Sequence, residues 1–175
     1  MKLHTGIVAL MMCSGLNLAH AATQAADIEG YWRTIDDKTG FAKAIIQIYK
    51  AANGTYSGVH IRAIPRPNYV AKEYCQNCPP PFKDQKIVGM QIIWHLKPVD
   101  NFQDATWQFV EGYALDPLSG KIYRGRAKLS ADHRRLTLRG YVGISALGRS
   151  QTWIREDADS QYLKDLPNPP YPRVC

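Results

Sequence analysis

Cys75 and Cys78, set two residues apart in Cys75-Gln76-Asn77-Cys78, are the most reactive pair that this sequence places together. Three kinds of chemistry suit the spacing. A redox pair needs its first cysteine at a helix N-terminus, where the dipole stabilises a thiolate. Here the pair lies in a proline-rich stretch with no thioredoxin-like βαβ pattern around it. A zinc site needs two further ligands, which only Cys175 and a histidine can supply. A disulfide needs only an oxidising compartment. Its four-residue ring gains little loop entropy, so it shapes the loop locally more than it stabilises the fold.

Other catalytic groupings are missing from the sequence. There is no Gly-x-Ser-x-Gly elbow. His60, His95 and His133 are far apart, and no pair has the spacing of a zinc-binding His-Glu-x-x-His helix. Asp36 and Asp37 are adjacent carboxylates, but acid–base work needs two environments that split their pKa values. In a hairpin turn both are solvated, and Asp116 reads in the same way as a turn former. The sequence therefore assigns no catalytic residue, no cofactor and no metal site, and the expectation is a protein that is not an enzyme.

The elements that would position these residues follow from period-two patterning. Strands are expected at Ile28–Ile35, Phe41–Lys50, Thr55–Ile64, Ile87–Lys97, Ala105–Leu115, Lys121–Leu129, Arg135–Ile144 and Arg149–Arg155. Asp36 to Gly40, Asn53-Gly54 and Asp116-Pro117-Leu118-Ser119-Gly120 carry turn chemistry between them. Pro65 to Lys86 is the one long irregular connection, and such loops often carry function. Eight consecutive antiparallel strands with one apolar face each are best satisfied by an up-and-down β-barrel, which leaves no bare edge. The fold class is thus all-β, with a short helix packing Tyr162, Leu163 and Leu166 after the last strand. A tail from Pro167 to Cys175 contains four prolines.

Residues 1–21 read as a signal peptide, with Lys2, an apolar run from Ile7 to Leu18, and Ala19-His20-Ala21 before the cleaved bond. Cys13 fits a lipoprotein site less well, because Met12 is a poor residue before a cleaved bond. The expected organisation is a leader at 1–21, a barrel at 22–156, and a short helix with a proline-rich tail at 157–175. No later stretch is long and apolar enough to span a bilayer, so a periplasmic protein is expected. The formal net charge of +7 favours anionic partners such as lipid headgroups, or simply solubility. The basic residues are scattered, which argues against nucleic acid. Cys75, Cys78 and Cys175 remain after the leader, an odd number that leaves one thiol to be free or to compete.

The in-phase aromatics Trp32, Trp94, Trp107, Phe109, Tyr113, Tyr123 and Trp153 have two readings. They could line a cavity for a small apolar or amphipathic ligand, with Glu111 and an arginine fixing its polar end. They could equally fill an eight-stranded interior, which is just wide enough for side chains. If Glu111 points inward beside Trp107 and Tyr113, its charge needs a partner, for which Arg139 or Arg149 is the natural candidate. The ligand-binding candidates are therefore Trp94, Trp107, Glu111, Tyr113, Tyr123, Arg139 and Trp153. The alternative to a ligand is an envelope protein partner, met by the Cys75–Cys78 loop of a solid barrel.

Gly30-Tyr31-Trp32 on the first strand, with Arg155 or Arg149 on the last, resembles the Gly-x-Trp and closing arginine of lipocalin-like (calycin) barrels. A second resemblance covers nearly all of Ile28 to Arg155. Gly30 to Thr34 with Asp36-Asp37, the Cys75-x-x-Cys78 loop, and Asp116-Pro117 through Gly120-Lys121-x-Tyr123 carry its first part. Leu136-x-Leu138-Arg139-Gly140-Tyr141 and Gly148-Arg149-Ser150-Gln151-Thr152-Trp153-x-Arg155 carry the rest. These stretches are similar to an exported bacterial family known as domain of unknown function 2147. The resemblance implies a periplasmic lipocalin-type barrel without an established activity, in which Gly30, Trp32, Arg149 and Arg155 are structural.

Overall fold

Alternating residues, cut by turn-forming sequences, produce eight strands, here in a computed structural model that describes residues 27–99 and 107–166. They are β1 (Gly30–Ile35), β2 (Ala42–Lys50), β3 (Tyr56–Ala63), β4 (Gln91–Pro98), β5 (Phe109–Asp116), β6 (Lys121–Leu129), β7 (Arg135–Tyr141) and β8 (Arg149–Glu156). Each pairs antiparallel with the next, and β8 returns to β1, so the sheet closes into a barrel. The turns work as their residues predict. Asp36 Oδ1 accepts from the amides of Lys38 and Thr39, and Asp116 Oδ1 accepts from that of Leu118. Both carboxylates are thereby committed to turns.

Two apolar layers hold the wall. The inner one packs Trp32, Ile46, Ile48, Tyr56, Ile93, Leu96, Phe109, Ala127, Leu129, Leu136 and Trp153 into one buried cluster. The outer one lies on β2 and β3, where Ile45, Tyr49, Val59, Ile61 and Ile64 are covered by Tyr162, Leu163 and Leu166. The C-terminal segment thus makes the expected contacts, but as a single 3₁₀ turn at Gln161–Leu163 rather than a longer helix. Ser160 caps it by accepting from the Tyr162 amide, and Arg33 binds Glu156 at 2.6 Å where the segment leaves β8. The expected leader and the tail from Pro167 lie outside the described residues.

The barrel's upper end is formed by the β1–β2, β3–β4, β5–β6 and β7–β8 connections. There the long β3–β4 connection folds over the mouth. Arg66 ties it to Asp36 of the β1–β2 turn at 3.1 Å, and the Gly89 amide donates to His60 O. Cys75 and Cys78 are bonded to each other and buried, which selects the disulfide among the three readings of that pair. Cys75 Sγ lies 3.2 Å from Pro117 O on the β5–β6 turn. A Cβ on Gly120, whose φ is +75°, would fall 1.9 Å from Asn77 O. Both the turn and the loop resting on it therefore require glycine there.

His60 pairs with Ile46 on the inner face and is buried, with no hydrogen-bond partner for Nδ1. Burial pushes its pKa down to about 4.

Two tests follow. Gly120→Ala should lower stability by about 2 kcal/mol or more, read in urea, and should raise proteolytic cleavage between residues 66 and 86. His60 is neutral when folded and titrates near 6.5 when unfolded, so its contribution is complete above that pH and is lost as pH falls toward 4. Taking the protein from pH 7 to pH 4.5 should therefore cost on the order of 2 kcal/mol. His60→Leu should flatten the dependence across that window.

Candidate functional site

Closure begins at the lower end. Trp32 is fully buried on β1 and donates from Nε1 to Ile28 O at 2.9 Å. Its cross-strand neighbour on β8 is Arg155, whose guanidinium lies 4.3 Å from the Trp32 ring centroid. The same guanidinium donates to Asp27 O, Glu29 O and His133 O at 2.7–2.9 Å. A Cβ on Gly30, at φ +125°, would approach Arg155 Nη1 to 3.2 Å. Gly30, Trp32 and Arg155 thus form one seal. Arg149 has no part in it, since it stands exposed at the upper start of β8.

Above the seal the barrel is filled. A void of about 30 Å³ lies in the wall of β4 to β7, bordered by Ile93, Leu96, Ala114, Leu138 and the facing glycines Gly125 and Gly140, with Tyr113, Arg126 and Arg139 at its outer side. That is space for one water molecule, not for an amphipathic ligand. Trp153 is buried in this core, and Tyr123 lies partly buried at its upper edge beside Gly140.

The remaining ligand-binding candidates lie outside the wall, which corrects the sequence phase. β4 carries two extra residues against β3, one between Ile93 and Leu96 and one at Ile92, and β5 carries one against β6. His95 occupies the first of these and Glu111 the β5 bulge facing it, each with φ +57°. A bulge puts two consecutive residues on one side and reverses the alternation beyond it. Leu96 and Gly112 consequently point inward, while Trp94, Tyr113 and Glu111 point outward. Gly112 is required, because a Cβ there would meet Leu96 Cδ1 at 2.7 Å. Ile92 and Ile93 are both buried, and the expected β4 partner Val88 is exposed in the preceding turn.

Glu111 is exposed and binds Lys97 at 2.5 Å, not Arg139 or Arg149. That bond holds its carboxyl below the usual carboxylate range. Arg139 also faces outward, donating to Ser145 O and Ala146 O and to Ser150 Oγ, and so it shapes the β7–β8 connection. Trp94 stacks between Phe82 and Tyr113, at centroid distances of 5.6 and 5.8 Å. Trp107 lies near Arg126 and Lys128, 5.7 and 6.0 Å from their charges.

What these outward residues enclose is a groove of about 610 Å³ running across β4 to β7. His95, Lys97, Val110, Glu111, Tyr113, Arg124, Arg126 and Tyr141 line it. Lateral pairing puts Tyr113, Arg124 and Tyr141 in one row across three strands. Arg126 is held between aromatic rings, 5.3 Å from Tyr141 and 5.7 Å from Trp107. Its Nε is buried without a partner. Among the described residues Arg124 and Arg126 form no salt bridge, although Arg124 lies close enough to Glu111 to lower its pKa, so the groove presents two guanidinium groups beside two tyrosine rings. Sequence reasoning missed Arg124 and Arg126 as site residues, because it took the chain's scattered basic residues together and singled out none of them on β6. Among the described residues, no cluster of three potential metal ligands occurs.

A bacterial family described as an uncharacterized protein conserved in bacteria, domain of unknown function 2147, matches residues 30–155, and the chain belongs to it. Among solved structures, it is similar to protein HP1028 from Helicobacter pylori, described as belonging to the lipocalin family. The two share 18% identity over 75% of this chain and 84% of the other, with a TM-score of 0.60. That likeness is one of fold. No curated protein matches the sequence significantly.

Arg155→Lys keeps the charge but loses the planar fork that reaches three carbonyls. It should cost about 2 kcal/mol in a denaturant titration. Arg149→Lys should change stability by no more than about 0.5 kcal/mol.

Proposed function

We propose that this chain is a non-enzymatic binding protein of the periplasm, taking a small amphipathic molecule with a negative charge in its outer groove. The observation that carries the reading is the groove of about 610 Å³ outside the wall of β4 to β7, set against an interior packed with Trp32, Leu96, Phe109, Leu136 and Trp153. A site of that volume is in the range that holds a small organic ligand. Arg124 and Arg126 supply charge for an acidic group, and Tyr113, Tyr141 and Val110 supply ring and aliphatic surface for the rest. Glu111 is neutralised by Lys97, so it does not repel an anion as a bare carboxylate would. A guanidinium partly withdrawn from water gains more from an anion than an exposed one does.

The address is supported by two features of the chain. The leader pattern at 1–21 is that of export, and the Cys75–Cys78 disulfide suits an oxidising compartment. A second reading, a solid barrel that meets another envelope protein through the Cys75–Cys78 loop, is favoured by the filled interior.

Native mass spectrometry of the protein as purified from its producing cells tests the first reading. The expected result is a bound small mass that Arg126→Gln reduces at least about tenfold, in line with loss of a charge-assisted hydrogen bond. Ala114→Leu, which fills the void in the wall, should leave it bound. A ligand-free protein, or a ligand lost only with Ala114→Leu, would remove the groove as the site.

A further inference from the structure

Among the described residues, the exposed large apolar side chains of this barrel are all at one end. Phe41 closes the β1–β2 turn, while Tyr69, Val70, Tyr74 and Val88 belong to the β3–β4 connection. Ile122 follows the β5–β6 turn, and Val142, Ile144 and Leu147 form the β7–β8 connection. Every one of these lies at the upper end. At the lower end, among the described residues, no large hydrophobic side chain is exposed. Val70 is 90% exposed, Leu147 80%, Val142 68% and Ile144 63%. Values this high mean that almost none of the side chain touches the barrel beneath it.

Isolated exposed hydrophobics are ordinary on a protein surface, but their segregation to one end is not. The loops that bear them are held in place. Arg139 fastens the β7–β8 connection through Ser145 O and Ala146 O, and Arg66 fastens the β3–β4 connection to Asp36. The tips are therefore presented by a fixed base.

We propose that the upper end of the barrel docks on a lipid bilayer bearing anionic headgroups, with Val142, Ile144, Leu147 and Val70 entering the acyl boundary. Two observations choose a bilayer as the occupant. The first is charge. Lys38, Lys72, Lys83, Lys121 and Arg149 stand exposed around the same end with no salt bridge among the described residues; of its carboxylates Asp36 and Glu73 are paired with Arg66 and Lys86, Asp116 is held in its turn, and Asp37 and Asp84 are exposed, so basic groups remain in excess there. Basic residues around inserted apolar tips are the arrangement that anionic headgroups stabilise. The second is side-chain type. The most exposed tips are aliphatic, three on the β7–β8 connection and one on the β3–β4 connection, whereas protein interfaces concentrate their energy in a central cluster of Trp, Tyr and Arg. Tyr69 and Tyr74, amphipathic and only moderately exposed, suit the headgroup level. The membrane is met by the end of the barrel and not spanned, and no helix among the described residues is long and apolar enough to cross one.

This inference is independent of the outer groove, since it uses none of the residues that line it. The test is co-sedimentation of the protein, as purified from its producing cells, with vesicles of phosphatidylethanolamine and phosphatidylglycerol. Binding is expected, weakened on the order of 100-fold in the V142S/I144S/L147S variant. It should also be weaker on phosphatidylcholine vesicles. Hydrogen exchange on the unmodified protein gives a second readout that does not depend on how the variant folds. Vesicles should protect residues 142–147 and the segment around Val70, and leave the turns at 51–54 and 130–134 unchanged. No sedimentation, binding that the triple variant retains, equal binding to phosphatidylcholine, or protection only at the lower end would each overturn the proposal. So would a concentration-dependent dimer abolished by the triple variant, since the apolar end would then be covered by a second copy.

Discussion

Pairing of β8 with β1 is the constraint on which the rest of this structure depends, because it converts a run of hairpins into a wall without edges. The contact that secures it is the stack of Arg155 on Trp32, whose two residues face each other across that last seam. The guanidinium reaches carbonyls of the N-terminal approach at Asp27 and Glu29 and of the β6–β7 turn at His133. It thus draws together the first strand, the last strand and a hairpin end. A closed wall of eight strands has an interior about as wide as its own side chains, and here those side chains occupy it. The open concave space described lies on the wall's outer surface.

That placement also marks where the sequence could be read and where it could not. Strand number, order, most boundaries and the seal around Trp32 were legible, because alternation and turn residues are local signals. The faces of β4 and β5 were not, since an extra residue reverses the alternation beyond it, and β4 holds two and β5 one. The apolar series Trp107, Phe109, Tyr113 and Leu115 conceals the slip, and Glu111 interrupting it was the visible sign. A carboxylate within an apolar phase can signal a buried charge or a bulge, and nothing local in the sequence separates the two. His95 on the facing strand, likewise at positive φ, is the partner that only three-dimensional register reveals.

The outer groove is a product of those bulges. Two facing strands that each carry an additional outward residue bring His95, Lys97, Val110, Glu111 and Tyr113 onto the outer surface, where β6 adds its arginines. Trp94, stacked on Phe82 and Tyr113, carries this surface up to the β3–β4 connection. The Cys75–Cys78 disulfide, by contrast, is turned inward and packed against the β5–β6 turn. Its chemistry is spent on covering the mouth, which explains how a cysteine pair with a reactive spacing comes to sit buried in a structural cover.

The two sides of the barrel also differ mechanically. β2 and β3 are clad on both faces, by the inner core and by the C-terminal segment, so that part of the wall is thick and has little room to flex. Between β5 and β7 the wall narrows to the facing glycines Gly112, Gly125 and Gly140, with the small void behind them and the groove in front. A closed sheet so built is a stiff shell on one side and a thin panel on the other. Deformation of the barrel concentrates in the panel, so the wall beneath the groove is the part of the barrel best able to yield.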